Sequence, residues 1–96
     1  MGNTFTSNCW VLDTAAAIWS YTTQGPIKIR KLIWQPSAAA QSLAVDETDV
    51  GEIWTSTSLE ASPVGEQELD FGEGKWFDGL TLTTLTAGGK LYVYPA

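Results

Sequence analysis

Period-two alternation near the C-terminal end constrains this chain more than any other feature. In Gly79-Leu80-Thr81-Leu82-Thr83-Thr84-Leu85, leucines 80 and 82 fall on one parity and threonines 81 and 83 on the other. Leu91 and Val93 repeat the pattern against Tyr92 and Tyr94. Successive side chains leave a strand on opposite faces, so this alternation marks strands with one buried face. Between the two segments lies Thr86-Ala87-Gly88-Gly89, whose glycines accept the positive φ of a tight turn. The pattern predicts a terminal β-hairpin closed by that Gly-Gly turn.

The rest of the chain reads the same way. Cys9 to Asp13 forms a first strand, Thr14 to Ala17 a connection, and Ile18 to Tyr21 a second strand. The Gly25-Pro26 pair ends that unit in a turn. From Ile27 to Gln35 the alternation slips: Ile27 and Ile29 share a face, yet Leu32 and Trp34 fall on the parity of Lys28 and Arg30. Either a bulge near Arg30-Lys31 restores the inward face, or both faces are covered. Pro36 to Gln41 is a loop. Ser42 to Asp46, with Leu43 and Val45 inward, pairs with Glu52 to Ser56 across the Glu47–Gly51 turn. Thr57 to Gly65 is a long loop. Glu66 to Phe71 is a weak strand, Gly72 to Lys75 a turn, and Trp76-Phe77-Asp78 leads into the terminal pair.

About eight short strands with turn signals roughly every ten residues define an all-β class. The architecture expected is an antiparallel β-sandwich of jelly-roll type. The 96 residues suit one domain, and 44% apolar content suits a folded one. Residues 9–96 form that domain, behind a flexible N-terminal arm at residues 1–8. The arm is polar, with Phe5 as its one large apolar group. It either frays or orders on a neighbouring subunit with Phe5 as anchor. Gly2 and Thr6 also fit the short, common N-myristoylation pattern. No apolar run approaches the ~20 residues of a membrane span, and the polar N-terminus does not read as a signal peptide.

The residue inventory points away from catalysis. Histidine is absent and Cys9 is the single cysteine, which removes the commonest general base and the usual activator of a thiol. Cys9, beside Trp10, reads as a core residue. Glu66, Glu68 and Asp70 share a strand face, which is the pattern of a solvated surface. Asp46, Glu47, Asp49 and Glu52 surround a turn, but without the spacing of an EF-hand loop. No catalytic residue, metal or cofactor is expected. The net charge of −6 argues against nucleic acid, because phosphate contacts by Lys and Arg supply most of that affinity.

Docking chemistry is better represented. Charged residues are 17% of the chain, so less charge must be desolvated when a surface is covered. Lys28, Arg30 and Lys31 cluster in sequence. Five tryptophans are an excess for 96 residues. Some fill the core; others act as platforms for sugar rings or anchors for a protein partner. By parity, Trp54 opposes Ile53, and Tyr92 and Tyr94 oppose Leu91 and Val93. These rings are expected to face away from the core. Phe5, Lys28, Arg30, Lys31, Trp54, Trp76, Tyr92 and Tyr94 are therefore the candidate interface residues.

Ile27-Lys28-Ile29-Arg30 with Ile33-Trp34, Leu43-Ala44-Val45-Asp46, Gly51-Glu52-Ile53-Trp54, Gly79-Leu80-Thr81-Leu82 and Gly89-Lys90-Leu91-Tyr92-Val93-Tyr94 form an order of strands and turns. This order resembles small acidic all-β virion proteins of tailed bacteriophages. The resemblance implies a capsid decoration (cement) protein, or another head or tail component. It implies a homo-oligomer, with a trimer favoured, that binds the major capsid protein or another virion protein. It carries no active site, nucleic acid or membrane, and places the protein in the virion. The alternative from the residues is a small carbohydrate-binding module or tail-associated adhesion domain using exposed Trp and Tyr.

Overall fold

In a computed structural model, which describes residues 4–5, 9–48, 50–60 and 65–96, the chain is an antiparallel β-sandwich. Its elements are β1 (Thr4–Phe5), β2 (Trp10–Leu12), β3 (Ala16–Ser20), α1 (Tyr21–Gln24), β4 (Ile27–Gln35), β5 (Ser42–Glu47), β6 (Gly51–Thr57), β7 (Gln67–Phe77), β8 (Gly79–Leu85) and β9 (Lys90–Pro95). One sheet has the order β1-β2-β9-β4-β7, the other β3-β8-β5-β6. The pairs β5/β6, β4/β7, β3/β8 and β2/β9 nest inside one another, as in a long hairpin. That hairpin is rolled so that β4 also meets β9 and β5 meets β8. This is the jelly-roll winding, in which two Greek keys close a pair of sheets over one core. The expected class is therefore observed, with β1 added at one edge. Of the arm at residues 1–8, only Thr4–Phe5 is described, paired with Val11 and Trp10.

Apolar alternation builds the core from both sides. Leu12, Ile29, Leu32, Trp34, Leu91 and Val93 come from the first sheet, and Leu43, Val45, Leu80 and Leu82 from the second; all are buried. The slip in β4 is resolved by a bulge. Ile29 pairs with Pro95 and Lys31 with Tyr94, leaving Arg30 as the extra residue. Ile27, Ile29, Leu32 and Trp34 all reach the core as a result, while Lys28, Lys31 and Ile33 face outward.

Three sequence expectations require correction. The terminal segments do not form a hairpin: β8 pairs with β3 and β5, whereas β9 pairs with β2 and β4 in the opposite sheet. The turn itself exists, with Gly89 N–H bonded to Thr86 C=O at 3.2 Å and Gly88 at φ +94. It carries the chain across the sandwich instead of back along the same sheet. Buried Gln41 holds the turn there: its Nε2 donates to Ser37 Oγ at 2.7 Å and to Ala87 C=O at 3.3 Å. Second, Gly72-Glu73-Gly74-Lys75 is not a turn between elements. It lies within β7, where Phe71 to Gly74 bulge out opposite Arg30 between the pairs Lys31–Asp70 and Ile29–Lys75. Third, the second strand runs from Ala16 to Ser20 instead of Ile18 to Tyr21, and Tyr21–Gln24 forms a helical turn. The Gln24 side chain accepts from Ser20 N–H at 3.0 Å, and Gly25 ends the turn at φ +76 before Pro26.

Candidate docking face

The outward face of the first sheet gathers the candidate residues. β9 and β4 lie side by side, so their outward side chains form rows across the sheet. One row runs Val11, Tyr92, Ile33 and Glu68; the next runs Tyr94, Lys31 and Asp70; a third pairs Lys28 with Trp76. Lys31 Nζ lies 4.9 Å from the centre of the Tyr94 ring, and the Arg30 guanidinium carbon 5.9 Å from it. Lys28 Nζ stands 6.0 Å from the Trp76 ring. Cation–ring contacts at exposed sites contribute about 0.5–1 kcal/mol each. Their larger effect here is to hold the ammonium and guanidinium groups over flat apolar surfaces. Trp76 is 61% exposed, while Tyr92 and Tyr94 are half-buried between the flanking strands.

The cations are confined to one layer, which also carries the acids Glu68, Asp70 and Glu73 in β7. All five Lys and Arg residues lie in strands of this sheet: Lys28, Arg30 and Lys31 in β4, Lys75 in β7 and Lys90 in β9. The strands of the other sheet carry only Asp46, Glu47 and Glu52 as charged residues. Two acids of the β5–β6 corner, Asp46 and Glu47, accept from protein donors. Asp46 Oδ2 accepts from the Thr83 hydroxyl at 3.0 Å, and Glu47 Oε2 from Asp78 N–H at 2.7 Å. Among the described residues no group of His, Cys, Asp and Glu side chains could hold a metal ion. Asp49, which belongs to the same turn in sequence, lies outside the described residues.

Lys28, Arg30, Lys31, Trp76, Tyr92 and Tyr94 thus converge. Trp54 does not join them, and its outward assignment is corrected. It sits directly opposite buried Val45 and is half-buried against the core, because the pairing shifts by one residue and leaves Ile53 as the extra position. The Phe5 side chain lies outside what is described; its backbone pairs with Trp10 at the far edge of the same sheet. Cys9 is half-buried, not a core residue. Its neighbour Tyr94 has a phenol pKa raised above 10.0, first by burial and then by Cys9. Lys75 was missed as a charge of this sheet because the glycines around it read as a turn.

Compared with protein-family models, curated proteins and solved structures, the chain matches none of them. No helix among the described residues is long and apolar enough to cross a membrane.

Proposed function

We propose that this protein is a non-enzymatic structural component of a bacteriophage virion, a capsid decoration protein that binds the assembled head and stabilises it. One observation carries the reading: Lys28, Arg30 and Lys31 are held against Tyr94 and Trp76 on one outward face, while the other sheet carries only acids. Such a face suits an acidic protein surface, since aromatic anchors supply buried area and the cations supply orientation. A jelly roll is a rigid two-layer block, so a seated copy transmits load between the subunits it touches. Binding the assembled lattice but not its free subunits shifts assembly toward the lattice by mass action. The protein itself, as a homo-oligomer with a trimer favoured, and the major capsid protein are the partners of this reading, and the virion is its location.

Co-sedimentation tests it. The protein is expected to pellet with assembled heads and to stay in the supernatant with free capsid subunits. Binding should weaken as salt rises, because the screening length falls from ~10 Å at 0.1 M to ~3 Å at 1 M. Equal binding to heads and free subunits, or no binding to heads, would sink the reading.

A further inference from the structure

Trp34 is fully buried, yet its Nε1–H meets no hydrogen-bond partner among the described residues. A buried donor left unpaired is costly, and in folded proteins nearly every such group is paired with protein or with ordered water. We infer that Trp34 Nε1, Gln41 Oε1 and Thr86 C=O together bind one structural water molecule, in the space that glycine at position 89 leaves open. None of these residues belongs to the docking face, so this inference and the virion reading stand or fall separately.

Three segments assemble the site. Trp34 comes from β4, Gln41 from the loop before β5, and Thr86 and Gly89 from the turn that carries the chain across the sandwich. Gly89 is buried. Apart from its chain neighbours, a Cβ built on it would have Trp34 Nε1, Gln41 Oε1 and Thr86 C=O as its nearest atoms, each at 3.4 Å. One donor and two acceptors therefore face a single point, on the side of the backbone where a side chain would extend. A water seated just beyond that point comes within the ~2.7–3.2 Å of a hydrogen bond to all three. The hydrogen-bonding capacities match. The water oxygen accepts from the indole, and its two protons go to the two oxygens. Thr86 C=O already accepts Gly89 N–H at 3.2 Å, and Gln41 Oε1 accepts Ser37 N–H at 2.8 Å. Each of these oxygens keeps a second lone pair. Gln41 Nε2 is committed to Ser37 Oγ and Ala87 C=O, which leaves the amide oxygen to serve the site. Three polar partners are the usual number for a buried water. Backbone conformation supplies no reason for glycine here, because Gly89, unlike Gly88, lies outside the left-handed region. Room for the water supplies one.

The test is water-to-indole magnetisation transfer by NMR on the native chain. The Trp34 resonance is the one that Trp34→Phe removes; should that variant not fold, contacts to the paired Leu91 assign it. The Trp34 indole proton is expected to show water cross-peaks of opposite sign in the laboratory-frame and rotating-frame experiments, the mark of a water that tumbles with the protein. Gly89→Ala should erase them while the indole resonance remains. The same variant should lose about 10-fold in its folding equilibrium constant through the stranded donor, where alanine for glycine at a compatible position ordinarily gains. In the Trp34→Phe background, which has no donor to strand, the loss should shrink to less than ~3-fold. A Trp34 indole without these cross-peaks overturns the inference, as do cross-peaks that Gly89→Ala leaves in place. Equal losses in the two backgrounds would overturn it too, because they would trace the loss to crowding at Gly89.

Discussion

Two glycines show how much a backbone conformation costs when the surroundings are filled. Gly88 has φ +94, and a Cβ there would lie 2.5 Å from Ser37 Oγ, which Gln41 already holds. Gly72 has φ +69 with open space where a Cβ would stand, and Asp70 Oδ1 accepts its N–H at 2.7 Å. The left-handed region alone costs a non-glycine residue roughly 1–2 kcal/mol. Gly72→Ala should lose about that much, whereas Gly88→Ala should lose more, about 2–4 kcal/mol, because the clash adds to the strain. Urea unfolding midpoints check the order. Tyr94 yields a pH prediction. Burial, then Cys9, raises its phenol pKa above the ordinary 10.0. The folded state therefore favours the protonated phenol. That contribution is complete below pH ~10 and is lost as pH rises through the folded pKa. Stability should fall above pH ~10 in the native chain and fall less in Tyr94→Phe, read from melts across the alkaline range.

Among the elements, β4 and β7 show what a bulge accomplishes. A strand whose register slips by one residue sends every later side chain to the wrong face. The extra residue Arg30 cancels that slip on the β9 side. Deleting Arg30 leaves Ile29 followed by Lys31 and Leu32 in unbroken alternation. Deleting Leu32 instead turns half of the strand inside out. The Arg30 deletion is therefore expected to fold with the larger share of its stability kept, and the Leu32 deletion to lose cooperative unfolding, as circular dichroism melts would reveal. The matching bulge in β7 guards an open edge. Gly72 and Gly74 bend the strand, and Lys75 takes a core-side parity opposite Ile29 while its ammonium stands 5.6 Å from the Phe77 ring. A bent edge with a lysine on its inner parity is a poor template for another strand. The bulge in β4 was legible in the sequence because buried parity on either side of it had to match. The bulge in β7 was not, because Gly-Glu-Gly-Lys is equally good turn chemistry.

For the whole molecule, the confinement of the cations to one layer sets the expected behaviour. All five cations lie in strands of one sheet, with Lys75 on its inner parity, and the strands of the other sheet have none. A reversal of that face, Arg30→Glu with Lys31→Glu, is expected to cut binding to assembled heads at least ~10-fold while the unfolding transition changes little. Reversal of Lys90, near the opposite end of the same sheet from Lys28, should have a smaller effect. The pair of variants separates a located contact from general charge attraction, and sedimentation reads both. The candidate site was partly legible: the basic run and the alternating tyrosines were visible in order. Trp54 misled because its neighbour Ile53 lies at a register shift.

Local order determined a good deal here. Alternation fixed which side of each strand is buried, glycines marked where the chain bends, and the count of short strands fixed the all-β class. Those signals act within a few residues, so they are written wherever the residues stand. Which strands pair is a different matter. β8 and β9 carry the pattern of a hairpin, yet they lie in opposite sheets. Both arrangements bury the same leucines and valines. The choice falls to contacts between residues far apart in the chain, such as Gln41 with Ala87 and β2 with β9. Only the closed sandwich brings those groups together, and the same strand pairing sets Lys31 beside Tyr94 and Lys28 beside Trp76.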